Sequence, residues 1–87
     1  MKEHNFTVTS LESDFSNVGT LLNVKSIGDL TARIQVALGE HFDGDAILLK
    51  DFGDEVFEPS FLEKDFSVKV GDDGDVYKCS IQKTWLY

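Results

Sequence analysis

Cysteine occurs once, at Cys79, and proline once, at Pro59. A single thiol cannot close an internal disulfide, and small secreted domains commonly depend on several, so a reducing, cytoplasmic setting is the expectation. With one proline and glycines that fall singly between apolar runs, nothing reads as a linker, and residues 1–87 are expected to form one domain. Arginine also occurs once, at Arg33, in a chain with a formal charge of −8. Direct binding of DNA or RNA needs Lys and Arg to neutralise phosphates, and this balance has the wrong sign. Long apolar runs are missing as well. No stretch reaches the roughly 18 residues that span a bilayer, and Met1-Lys2-Glu3-His4-Asn5-Phe6 has no secretory apolar core.

What is present is enough for a core. A hydrophobic fraction of 41%, with seven Phe spread along the chain, separates this composition from that of a disordered tail. A chain of 87 residues buries roughly 60–65% of the surface it exposes when unfolded, so one compact core is expected.

Periodicity gives the order of the elements. Phe6-Thr7-Val8-Thr9-Ser10-Leu11 alternates at period two, as a half-buried strand does. Ser13 to Gly19 reads as a loop, and Thr20–Lys25 as a second strand paired with the first in a hairpin. Ser26 stands at an N-cap position with Asp29 three residues on, so a helix is predicted from Ile27. Ile27, Leu30, Ile34, Leu38 and Phe42 then recur at spacings of three and four, with Ala37 alongside, while Asp29, Arg33, Gln35 and Glu40 lie off that stripe.

Asp43-Gly44-Asp45 ends the helix. Ala46-Ile47-Leu48-Leu49 reads as an interior strand buried on both faces. Asp51 to Asp65 reads as a loop with a helical turn, pinned by Phe52, Val56, Phe57, Phe61 and Leu62 around Pro59. Phe66, Val68 and Val70, then Tyr77, Cys79, Ile81 and Trp85, alternate on either side of Gly71-Asp72-Asp73-Gly74-Asp75, a pattern of two antiparallel strands around an Asp-Gly turn. The expected fold is a single small α+β domain, an antiparallel or mixed sheet of about five strands packed on one helix in the order β-β-α-β-loop-β-β. The opening hairpin, helix and strand resemble the start of a ubiquitin-like β-grasp fold, although no motif residues accompany that order and no family is assigned.

The motifs of common chemistries lack their minimal parts. Asp51-Phe52-Gly53 matches a protein-kinase metal-binding tripeptide but has neither a Gly-rich phosphate loop nor a His-Arg-Asp beside it. Cys79 could pair with His4 or His41, yet it shares a strand face with Tyr77 and Ile81, where a free thiol behaves as a small core hydrophobe. The turns at Asp43/Asp45 and Asp72/Asp73/Asp75 offer oxygen ligands, but neither has EF-hand spacing, and Asp and Gly are also what tight turns prefer. Neither catalysis, nor a metal, nor a cofactor is expected.

The charge is uneven. Residues 40–75 carry twelve acids against three bases, a net −9, whereas residues 1–39 carry four against three. An acidic field attracts a basic surface and speeds encounter with it. The first expectation is therefore a non-enzymatic protein-binding module, an inhibitor of phage anti-defence type whose carboxylates stand in for nucleic-acid phosphates against a basic nucleic-acid-binding protein. Its candidate contacts are Asp43, Asp45, Asp51, Asp54, Glu55, Glu58, Asp72, Asp73 and Asp75, all in predicted loops or turns. The same acids would also serve as a solubilising surface. The alternative is a β-grasp-like scaffold that binds through a strand edge or apolar patch, with its charge incidental.

Overall fold

A computed structural model describes residues 4–12, 17–72 and 74–84. The elements are β1 (Phe6–Ser10), β2 (Asn17–Leu21), α1 (Ile27–Phe42), β3 (Ala46–Leu48), a 3-10 turn (Asp54–Phe57), β4 (Glu63–Val70) and β5 (Asp75–Lys83). The five strands form one sheet in the order β2-β1-β5-β4-β3. The expected α+β architecture and element order are therefore present. Every ladder is antiparallel, including β1 with β5. The sheet is thus not that of a ubiquitin-like β-grasp, in which the first and last strands lie parallel.

The helix begins where its cap is. The Ser26 side chain accepts from the Asp29 N–H at 3.1 Å, and the Asp29 carboxylate accepts from the Lys25 N–H at 3.0 Å. Losing such a cap costs about 1 kcal/mol. Leu30, Ile34 and Leu38 are fully buried, and Ile27 and Phe42 pack at the margins of the core. Each fully buried aliphatic side chain of this kind stabilises the fold by about 1.5–3 kcal/mol.

Facing the helix are Phe6 and Val8 of β1, Phe66, Val68 and Val70 of β4, and Cys79 and Ile81 of β5, all buried. The helix does not cover this face alone. The chain between β3 and β4 lays Phe52, Val56 and Phe61 into the same core, with the Phe52 ring edge-on to Phe66 at 5.2 Å and Phe61 edge-on to Phe6 at 6.3 Å.

Several boundaries differ from the sequence reading. The second strand is Asn17–Leu21, not Thr20–Lys25: Asn23 turns into the left-handed region at φ 55°, and its N–H donates to the Asn5 side chain at 3.0 Å. Val24 is buried, but it reaches the core from the connection into the helix. Ala46–Leu48 is an edge strand beside β4 alone and is buried on one face only, with Ala46 and Leu48 inward and Ile47 59% exposed on the face away from the helix, like Val76 of β5. Leu62 is exposed and pins nothing, and β4 begins at Glu63, three residues before Phe66. Trp85 lies outside the described residues.

Candidate functional site

The nine candidate acids do not form one surface. One group gathers where α1 ends, β3 begins and β4 turns into β5. Asp43 closes the helix, with its N–H donating to the Gly39 carbonyl. The Gly71 N–H donates to the Asp45 carbonyl at 2.9 Å, which ties the helix exit to the β4–β5 turn. Register completes the arrangement, since Ala46 pairs with Val70 and Val70 with Asp75. Asp43, Asp45, Asp72 and Asp75 are all exposed at this end, and Asp73 lies outside the described residues.

Glu40 joins them. It is exposed in the last helical turn and lines one shallow groove with Asp43 and Asp45. The sequence reading left it out because it belongs to the helix rather than a loop. Its place one turn before Asp43, off the apolar stripe, is the signal that finds it.

Asp51, Asp54, Glu55 and Glu58 lie on the chain between β3 and β4, and Glu55 and Glu58 sit at the opposite end of the sheet. β4 separates Glu63 from Val70 by seven residue steps, about 24 Å, well beyond the Debye length of about 8–10 Å in physiological salt. The two ends are electrostatically independent at that ionic strength.

This second group also carries its own cations. Lys64 forms a hydrogen-bonded ion pair with Glu55, and the Lys83 ammonium lies 3.5 Å from the Glu58 carbonyl. The Lys64 hydrogen bond, followed by the Lys64 charge, holds the Glu55 carboxyl below its ordinary value. At the helix-exit end the neighbouring cation is Lys69, whose side chain approaches Gly74.

The other candidate chemistries find their residues in packing roles. Cys79 is fully buried, and burial, followed by the charge of Glu12, pushes its thiol up to about 11. Cys79 pairs with Ser10, six residues along the chain from His4, and His4 instead sets its ring against Phe57 at 4.8 Å. His41 packs edge-on to Phe42, which stacks on Tyr77 at 4.4 Å. Phe52 of the kinase-like tripeptide is a core residue. Among the described residues no three His, Cys, Asp or Glu side chains converge closely enough to hold a metal ion, and no helix is long and apolar enough to cross a membrane.

Helix side chains reach both sheet edges, the Arg33 guanidinium donating to the Leu22 carbonyl just past β2. At β3 the Leu48 N–H is accepted by the Gln35 side chain of α1 at 3.2 Å, so the helix occupies part of that edge. An added strand would have to displace Gln35. No protein-family model, no curated protein and no solved structure matches this chain, so the reading of its function rests on the residues themselves.

Proposed function

We propose that this chain is a non-enzymatic protein-binding module whose helix-exit end receives a basic surface of another protein. As an inhibitor it would occupy a groove that otherwise takes nucleic-acid phosphates. The observation that carries this reading is the gathering of Glu40, Asp43, Asp45, Asp72 and Asp75 on one exposed end, where among the described residues none of them is ion-paired. Each acid meeting a partner cation contributes roughly 1 kcal/mol where water screens it and more as the contact dries, so several together give both steering and selectivity. The Glu55/Glu58 end contributes less to such a field, because Lys64 and Lys83 already stand beside it.

The test is retention of basic nucleic-acid-binding proteins by the immobilised chain at low and high salt, with competing DNA or RNA. Two variants accompany it, one with Asp43, Asp45, Asp72 and Asp75 changed to Asn, the other with Asp51 and Asp54 changed to Asn and Glu55 and Glu58 to Gln. Binding that salt and nucleic acid both release, and that the first variant loses while the second keeps it, supports the reading. Retention that is insensitive to salt and equal in both variants replaces it with binding through an edge or apolar patch.

A further inference from the structure

We infer that the partner meets the helix-exit end with an amphipathic helix, laid along the groove between α1 and β3 with aliphatic side chains on Val36 and Lys or Arg on the acidic rim, a conclusion that rests on the acidic-end reading and adds an apolar contact to it. Val36 is 63% exposed, and Ala32 is exposed one turn before it, on the side of α1 opposite the buried Leu30, Ile34 and Leu38. Together with Gly39 and Ala46 they give the groove its apolar surface, and Glu40, Asp43 and Asp45 line its far end. Beside the stripe that faces the core, α1 thus carries a second one, Ala32, Val36, Gly39 and Asp43, at spacings of four and three.

Charge selects a cationic occupant. Among the described residues that line this groove are three carboxylates and neither Lys nor Arg. The other flank of Val36 differs, because the groove towards β2 includes Arg33, which turns a basic segment back to the β3 side. The backbone selects a helix. An extended segment added to β3 would need the Leu48 N–H, and the Gln35 side chain already accepts it at 3.2 Å. A helix satisfies its own peptide groups and needs only side-chain contact. From Ala32 to Asp43 the groove runs about 16 Å along α1, so about three turns of a partner helix fill it.

The two halves of the contact act at different stages. Asp72 and Asp75 stand outside the groove on the β4–β5 turn, where they attract the partner without touching the apolar face of its helix. Loss of those charges slows association, whereas loss of the Val36 contact speeds release.

Two lysine–leucine peptides of the same composition, each about 14 residues long and held helical by a side-chain bridge, test the inference. In one the leucines recur at spacings of three and four, and in the other they are scattered around the helix. At physiological salt the wild-type chain should bind the amphipathic peptide about tenfold more tightly than the scattered one. Val36→Glu removes the aliphatic contact while adding a carboxylate, so it should bind the amphipathic peptide about tenfold more weakly than the wild type does, although charge alone would tighten binding. Ile47→Glu adds the same charge on the outer face of β3 and should keep the wild-type preference. Both positions are exposed, and an unchanged circular dichroism spectrum verifies each fold. No binding of either peptide at about 1 mM, equal affinity for the two, or a Val36→Glu chain that holds the amphipathic peptide as tightly as the wild type overturns the inference. If changing Asp43, Asp45, Asp72 and Asp75 to Asn still lowers affinity for both peptides when they bind equally, the acidic-end reading survives the loss of the groove. Undiminished binding of both peptides by that four-residue variant removes the acidic-end reading, and the inference with it.

Discussion

Asp43 does two jobs that oppose each other, and substituting it should separate them. It closes α1 in the left-handed conformation, at φ 56° and ψ 50°, where an L side chain is strained and glycine is not. Its carboxylate also stands at the negative end of the helix dipole and beside Glu40 and Asp45. Asp43→Gly should relieve about 1 kcal/mol of backbone strain, opposed by about 0.7 kcal/mol from the greater freedom of glycine in the unfolded chain. Removing the charge contributes about 0.5 kcal/mol more, so the net gain is about 1 kcal/mol. Asp43→Asn keeps the tolerance for this conformation and loses only the charge, for a gain of about 0.5 kcal/mol. Asp43→Ala loses both the charge and the tolerance, and should not exceed the wild type.

The expected order of stability is Gly above Asn, Asn above the wild type, and Ala at or below it. Urea titration or thermal melting reads this order, with a rise in Tm of roughly 5 °C for the glycine variant of a domain this size. In about 1 M salt the asparagine gain should shrink towards zero, while the backbone part of the glycine gain persists. A glycine variant less stable than the wild type, or an alanine variant above it, would refute the reasoning by showing that the Asp43 side chain makes a native contact worth more than the strain. Under the proposed function all three substitutions weaken partner binding, so stability and affinity move in opposite directions for Gly and Asn.

Glu55 should titrate below the ordinary glutamate range in a carboxyl NMR experiment, and return towards it in Lys64→Gln. Because its folded value is the lower one, its contribution to stability is present above the ordinary range and is lost as pH falls through the depressed value, and Lys64→Gln should remove that part of the acid dependence. Cys79 should resist a thiol reagent at pH 8 in the native protein and react once urea unfolds it, and stability should fall as pH rises from the thiol's ordinary value of 9.0 through about 11. Rapid native labelling would contradict its burial. Gly39→Ala should destabilise the protein by about 1 kcal/mol, read by chemical denaturation, although alanine is ordinarily the better helix former. A methyl group there would stand 3.0 Å from the Gly44 carbonyl, and a gain in stability would mean that the helix exit can yield.

Much of the fold was legible because its signals are local. The stripe from Ile27 to Phe42, the Ser26 cap and the Asp43-Gly44-Asp45 stop each act within a turn or two of chain, and the helix has the expected bounds. The alternation of Phe66, Val68 and Val70 and of Cys79 and Ile81 placed those residues on the core face because their strands pair around a short turn. The run Ala46–Leu49 is neither interior nor buried on both faces, because four apolar residues do not state how many neighbours a strand has or whether both faces of its sheet are covered: β3 has one neighbour, and Ile47 points to the exposed face. Val24 drew the second strand too far along the chain. Its burial comes from the core beneath it, and the turn at Asn23 depends on the hydrogen bond its N–H donates to a side chain 18 positions away.

The candidate site divided for the same reason. Composition by itself determined that the charge is negative and that it belongs to residues 40–75. Tertiary structure decided which of those acids act together. Asp45 meets the β4–β5 turn through a backbone bond to Gly71, whereas Glu55 and Glu58 lie a strand's length away with Lys64 and Lys83 beside them. Charge is a sum over residues and can be read from a chain in order, but a field depends on distance, and distances between residues remote in sequence exist only once the sheet has set its register.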